Sequence, residues 1–306
     1  ITEWRRTVNS RHSGVVHPRT APSLTRSVCL GMVPRHPVQT EGRLARVRFQ
    51  LLGVLLVALP SLAGAEAPGG QGTPGGSRPE LIVAAAADLV FALREIAPVF
   101  EREHQAKITL TFGSTGQLAQ QIQHGAPVDV FFAANLAFVE DLRAKGAVLA
   151  DSVETYARGQ LVLATHRDRL PLATLRDLTR NDVRRVAIAN PAHAPYGMAA
   201  REALVSAGVW TQVQPKLVYG ENVRQALQFL ETGNVDAAIV ALSVAQVPDV
   251  RFAPVDPNLH RPIIQAAAVT TRSRQPDLAR ALIHFVIGPQ GRPVMKRFGF
   301  LRPGES

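Results

Sequence analysis

Residues 80–96 read ELIVAAAADLVFALREI, and a change of pattern inside this stretch sets the fold class. Leu81-Ile82-Val83 and the alanines after them form a short apolar run of the kind that fills a fully buried strand. Leu89, Leu93, Ile96 and Phe100 then recur at helical spacing and make one apolar stripe. Asp88 stands at the junction, where a side-chain oxygen is placed to cap the first free N–H groups of the helix. A strand that runs straight into a helix leaves backbone donors aimed at one spot, which is a seat for an anion. The small alanines let a ligand come close to it.

The same pattern repeats outward from this stretch. KITLTF (107–112) alternates as a strand, Gly113-Ser114-Thr115-Gly116 turns, and a helix carrying Leu118 and Ile122 runs to Gly125-Ala126-Pro127. VDVFFA (128–133) is a buried strand, and a helix from about Phe138 to Lys145 stops at Gly146. Beyond Tyr156 a second block begins with QLVLAT (160–165) and a helical connection over 170–181. VAIA (186–189) leads into NPAHAPYG (190–197) and a helix that ends at Gly208. KLVY (216–219) and Gly220-Glu221-Asn222 open a helix carrying Ala226, Leu227 and Leu230, and DAAIVAL (236–242) is the next strand. The tail offers a strand over 263–270, a helix over 277–287 and a last helical segment ending near Phe298.

Alternating strands and helices predict an α/β fold with parallel, doubly wound sheets. Nothing before Arg261 pairs the 263–270 strand within the second block, so it is expected to return to the first. The expected plan is two lobes, 80–157 plus 247–306 and 158–246, each a mostly parallel sheet flanked by helices. The crossovers fall near Tyr156 and between Ala245 and Arg261.

Charge and composition remove other functions. The net charge of +10 resides mostly in the first 65 residues, which hold nine arginines against Glu3 and Glu41. The remainder has 25 basic and 22 acidic residues, so a nucleic-acid partner loses its electrostatic basis. Arg43, Arg46 and Arg48 precede the apolar run 49–62 and Ala63-Gly64-Ala65, the three parts of a secretory signal at 43–65. Ala65 stands where a lipid-attachment cysteine would be needed. Residues 1–42 are expected to lie outside the mature protein, with Met32 one candidate start, and the Gly/Pro-rich 66–79 reads as a disordered linker. The one cysteine, Cys29, precedes the signal, which excludes disulfides, thiolate metal sites and a cysteine nucleophile from the mature chain. The histidines show no metal-ligand spacing, and no Walker loop, Rossmann fingerprint or nucleophile elbow is present. No cofactor and no catalytic residue is expected.

Four turns remain: Ala87-Asp88, Ser114-Thr115-Gly116, Pro195-Tyr196-Gly197 and Asn222-Val223, two in each lobe. Each is a small-residue turn from strand to helix, and open α/β sheets bind ligands at such strand ends. Facing one another across a cleft, they would offer neutral donors to an oxyanion.

From Leu81 to about Phe300 the chain resembles the molybdate-binding component of ABC importers, the ModA family of type II periplasmic solute-binding proteins. The segments that carry the likeness are AAAADL (84–89), FGSTGQLAQQI (112–122), GAPVDVF (125–131), NPAHAPYG (190–197), ENVRQAL (221–227) and GPQGRPVMKRFGF (288–300). The resemblance implies a monomeric periplasmic protein that captures molybdate or tungstate and passes it to an inner-membrane ABC permease. It implies oxyanion contacts at Ala87, Asp88, Ser114, Thr115, Tyr196 and Val223, the last two through the backbone, with molybdenum held as the oxyanion and not as a cation. Thr115 stands where the family usually has serine, and Ala241 where some members have a tyrosine hydroxyl.

Asp88 strains the likeness. A carboxylate about 4 Å from a dianion costs roughly 8 kcal/mol at an effective dielectric near 20. Either it caps its helix sideways and offers only backbone, or it accepts a proton from a protonated ligand such as hydrogen phosphate or a phosphonate. A secreted hydrolase is the reading from another class, and it needs a nucleophile–base pair that the sequence does not display.

Overall fold

A computed structural model describes residues 78–169 and 171–305. The expected signal, linker and upstream segment lie almost wholly outside the described residues. Along the chain, β1 (Glu80–Ala86) enters a single 3-10 turn at Ala87–Leu89 and then α1 (Val90–His104). β2 (Lys107–Gly113), α2 (Thr115–Gln123), β3 (Val130–Ala133), α3 (Leu136–Ala144) and β4 (Glu154–Gly159) follow. The second half has β5 (Leu161–His166), β6 (Val186–Ala189), α4 (Pro195–Ser206), α5 (Trp210–Val213), β7 (Leu217–Gly220), α6 (Val223–Glu231), β8 (Ala237–Ala241), α7 (Leu242–Ala245) and β9 (Val250–Pro254). β10 (Ile263–Val269), α8 (Pro276–Ile287) and α9 (Gly291–Arg297) close the chain.

The strands make two five-stranded sheets, in the orders β2-β1-β3-β10-β4 and β7-β6-β8-β5-β9. In each, three strands are parallel because helices return the chain between them, and the other two pair antiparallel. The two sheets are therefore mixed. β10 does return to the first sheet, between β3 and β4. β9 does not: it pairs with β5 in register Val162↔Pro254 to His166↔Val250, so lobe two extends past the boundary expected at 246. An edge strand with Arg251 and Phe252 largely exposed carries too little apolar pattern to be placed from sequence.

The cores lie on the faces of these sheets. Leu89, Leu93, Ile96 and Phe100 of the α1 stripe are all buried against one face of the first sheet, together with Leu282, Ile283 and Val286 of α8. α2 and α3 cover the other face through Leu118, Ile122, Val139 and Leu142. The largest apolar cluster fills lobe two and reaches across to Ala86, Ala87 and Val90, so the lobes share packing where β1 ends. Among the described residues no helix is long and apolar enough to cross a membrane.

Candidate functional site

The strand ends carrying the four turns meet. A cavity with about 210 Å³ of empty volume, partly open to solvent, is lined by Ala86, Ala87, Asp88, Ser114, Thr115, Tyr196, Asn222 and Val223 among others. All six residues expected at the site line it, and all six are buried. Lobe one contributes the Ala87 turn and the start of α2; lobe two contributes the starts of α4 and α6.

Each helix start leaves particular donors over, because the first-turn N–H groups have no acceptor within the helix. At α6 the Asn222 side chain accepts from Arg224 and Gln225 N–H, both at 3.1 Å, which leaves the Val223 N–H. At α4 Pro195 has no N–H and Ala194 offers no side-chain cap, which leaves the N–H groups of Tyr196 and Gly197. At α2 the Gly116 N–H is taken by the His193 carbonyl at 2.9 Å, which leaves Thr115 and Gln117. The Thr115 hydroxyl accepts from Ala134 N–H at 3.0 Å and keeps its own proton to donate. The lining contains no Lys or Arg, so attraction for an anion rests on oriented backbone dipoles and a hydroxyl.

Ser114 is engaged otherwise. Its hydroxyl donates to the His193 carbonyl at 2.6 Å, and the His193 ring Nδ1 lies 2.8 Å from the same oxygen. This is a contact between the lobes, reinforced at the rim by Gln117 Nε2 donating to Glu221 Oε2 at 2.7 Å. Gly116 belongs to the same closure, since a Cβ there would stand 2.8 Å from the His193 carbonyl oxygen. Ser114 and His193 are thus a serine–histidine pair that linear spacing hides, at a separation of 79 residues. It is not built as a nucleophile and base: the hydroxyl proton already goes to a carbonyl, and no carboxylate hydrogen-bonds the imidazole among the described residues.

Asp88 departs most from expectation. Its side chain caps nothing; the 3-10 turn it sits in has no side-chain cap. The carboxylate turns inward and is 1% exposed. Gln265 Nε2 donates to Asp88 Oδ2 at 2.6 Å and to the Tyr196 hydroxyl at 3.0 Å, while the Tyr156 hydroxyl donates to Gln265 Oε1 at 2.6 Å. Ser243 of α7 donates to the Asp88 carbonyl at 2.8 Å. Asp88 Oδ1 is the one buried side-chain polar atom without a hydrogen-bond partner among the described residues. The Tyr196 hydroxyl and the Asp88 and Leu89 N–H groups lie close enough to favour its ionised form, but none reaches Oδ1 with hydrogen-bond geometry. Burial dominates and pushes the carboxyl pKa up to about 6. Burial, with the Asp88 charge adding to it, also raises the Tyr156 and Tyr196 hydroxyls well above the usual phenol range.

Gln265 is the residue that sequence reading passed over. It is fully buried on β10 and ties Asp88 of lobe one to Tyr196 of lobe two. The signal was present as a lone amide inside the apolar run IIQAAAV. Gly159 makes room for it, since any Cβ there would collide with the Tyr196 hydroxyl and sit 2.8 Å from Gln265 Nε2. Ala241, where a further hydroxyl was missing, is buried at the end of β8.

The sequence pattern of the bacterial extracellular solute-binding proteins matches residues 81–301. The molybdate-binding protein ModA of Azotobacter vinelandii is 36% identical over 226 residues, covering 72% of this chain and 89% of that protein. A solved structure of the periplasmic molybdate-binding protein of the same organism superposes with a TM-score of 0.70 at 30% identity, over 73% of this chain and 99% of that one. The sulfate-binding protein SubI of Mycobacterium tuberculosis shares the fold, with a TM-score of 0.62 at 16% identity over 73% of this chain and 86% of that one.

Proposed function

The chain belongs to the bacterial extracellular solute-binding protein family, and from that membership we propose that it captures molybdate or tungstate outside the cytoplasm and delivers it to an ABC importer. The observation that carries the reading is the convergence of helix starts from both lobes on one cavity lined with neutral donors and no cation. The N–H groups of Ala87, Thr115, Tyr196 and Val223 and the Thr115 hydroxyl are the donors that would surround a tetrahedral oxyanion. Ser114 contributes by holding the lobes together over it. The relatives that support this reading are named for binding, and the protein acts as a receptor and not as an enzyme. A cleaved signal at 43–65 without a lipid anchor places it free in the periplasm, as a monomer. Closure of the two lobes on the anion then presents the permease with a surface that the open form lacks.

A second reading, a ligand that carries its own proton such as hydrogen phosphate, is favoured by the buried Asp88 carboxylate alone. Thermal unfolding with molybdate, tungstate, sulfate and phosphate separates the two. The true ligand at a hundredfold excess over its Kd stabilises by about 2.7 kcal/mol. Stabilisation by phosphate only, or by none of the four, defeats the molybdate reading.

A further inference from the structure

Two carboxylates are buried among the described residues, and they are treated differently. Asp129 accepts from Ile82 N–H at 2.8 Å, Ser273 Oγ at 2.8 Å and Arg274 N–H at 3.1 Å, so both of its oxygens are satisfied. Asp88 accepts one hydrogen bond and keeps Oδ1 unpartnered, on a residue that lines the cavity. A buried acceptor left open is expensive unless something supplies a proton to it.

No cation is available for that task. The elements packed on the Asp88 turn bring Tyr196 from α4, Gln265 from β10, Tyr156 from β4 and Ser243 from α7. α6 also packs there, but its Arg224 is turned to Glu231 and the Phe91 ring. Arg94 of α1 lies over Phe112, and His193 across the cleft is held by Ser114. Gln265 and Gly159 fix the carboxylate in place, so it cannot swing away when an anion enters.

Resting on the oxyanion reading above, we propose that the cavity takes its anion together with one proton, held between the Asp88 carboxylate and an anion oxygen. With molybdate, a dianion near neutral pH, the proton comes from solvent: the buffer acid loses it and the carboxylate gains it. The protonated oxygen then donates to the anion, which turns the one repulsive group in the lining into a further donor. Capture is thereby coupled to pH, and an oxyanion that already carries a proton can use the same contact. That the free carboxyl titrates near pH 6 sets the range in which the coupling shows.

The test is molybdate affinity between pH 6.5 and 8.5, with calorimetry in Tris and HEPES to count protons. Wild type is expected to weaken about tenfold per pH unit, near a hundredfold overall, and to take up about one proton at the upper end. Asp88→Asn, which carries a permanent donor, is expected to change less than about threefold over the range, to take up no proton, and to bind tighter than wild type at pH 8.5. Tight wild-type binding with a flat pH profile and no proton uptake overturns the proposal and leaves the molybdate reading intact. So does an Asp88→Asn protein that folds but binds more weakly than wild type at every pH. If the variant does not fold, the wild-type proton count decides. No binding of molybdate or tungstate by wild type at any pH overturns both.

Discussion

Strand by strand, the order β2-β1-β3-β10-β4 in lobe one corresponds to β7-β6-β8-β5-β9 in lobe two. The first turn out of the central parallel strand is Ala87-Asp88 in one lobe and Pro195-Tyr196 in the other; the second is Ser114-Thr115 against Asn222-Val223. Lobe two finishes these turns with local chemistry, a proline at N1 and an asparagine that caps its own helix. Lobe one finishes them with distant partners: Asp88 depends on Gln265, Ser114 on His193 and Thr115 on Ala134. Lobe two thus presents ready-made donors, while the same positions in lobe one become complete only when the rest of the molecule is assembled around them.

The comparison can be broken in order of expected effect. Asp88→Asn probes the costliest of the distant dependences. A carboxyl titrating near 6 in the folded protein, against 3.8 as reference, favours folding fully below pH 3.8. That advantage, up to about 3 kcal/mol, is lost as pH rises through 6. The wild type should therefore be less stable than Asp88→Asn at pH 8, with the gap closing below pH 4, as read from urea midpoints at both pH values. Thr115→Val removes the acceptor of the buried Ala134 N–H and should cost about 1–3 kcal/mol in the same assay, with weaker anion binding by titration. Asn222→Ala, the local counterpart in lobe two, should cost about 1 kcal/mol. Equal losses from these last two would erase the distinction between distant and local finishing. Gln117→Ala breaks only an exposed contact between the lobes, and its urea midpoint should move by no more than about 0.5 kcal/mol.

The same distinction explains what the residues disclose when read in a line. β1, β3, β6 and β8 are apolar runs whose burial follows from composition, and the four turns adjoin strands that announce them. Asn222 as a cap is legible because its partners are two and three residues away. β4, ETYARG, and β9, VRFAP, are edge strands that mix exposed and buried positions and so carry no clear period. The direction of the Asp88 side chain was not legible. A carboxylate before a helical stripe ordinarily caps, and only Gln265, 177 residues away, draws it inward. His193 reads as a loop histidine until the lobes are brought together.

β10 has a consequence for how the molecule is made. It fills the gap between β3 and β4, yet it begins at Ile263, after the whole of lobe two has been synthesised. A chain emerging from its N-terminal end would complete the sheet of lobe two first. The antiparallel faces of β3 and β4 would meanwhile stay without a neighbour, open edges of the kind that pair with other chains. Such long sequence separation slows closure of the first lobe. The Asp88–Gln265–Tyr196 junction therefore forms late, and the chain gains its cavity only in the last steps of folding.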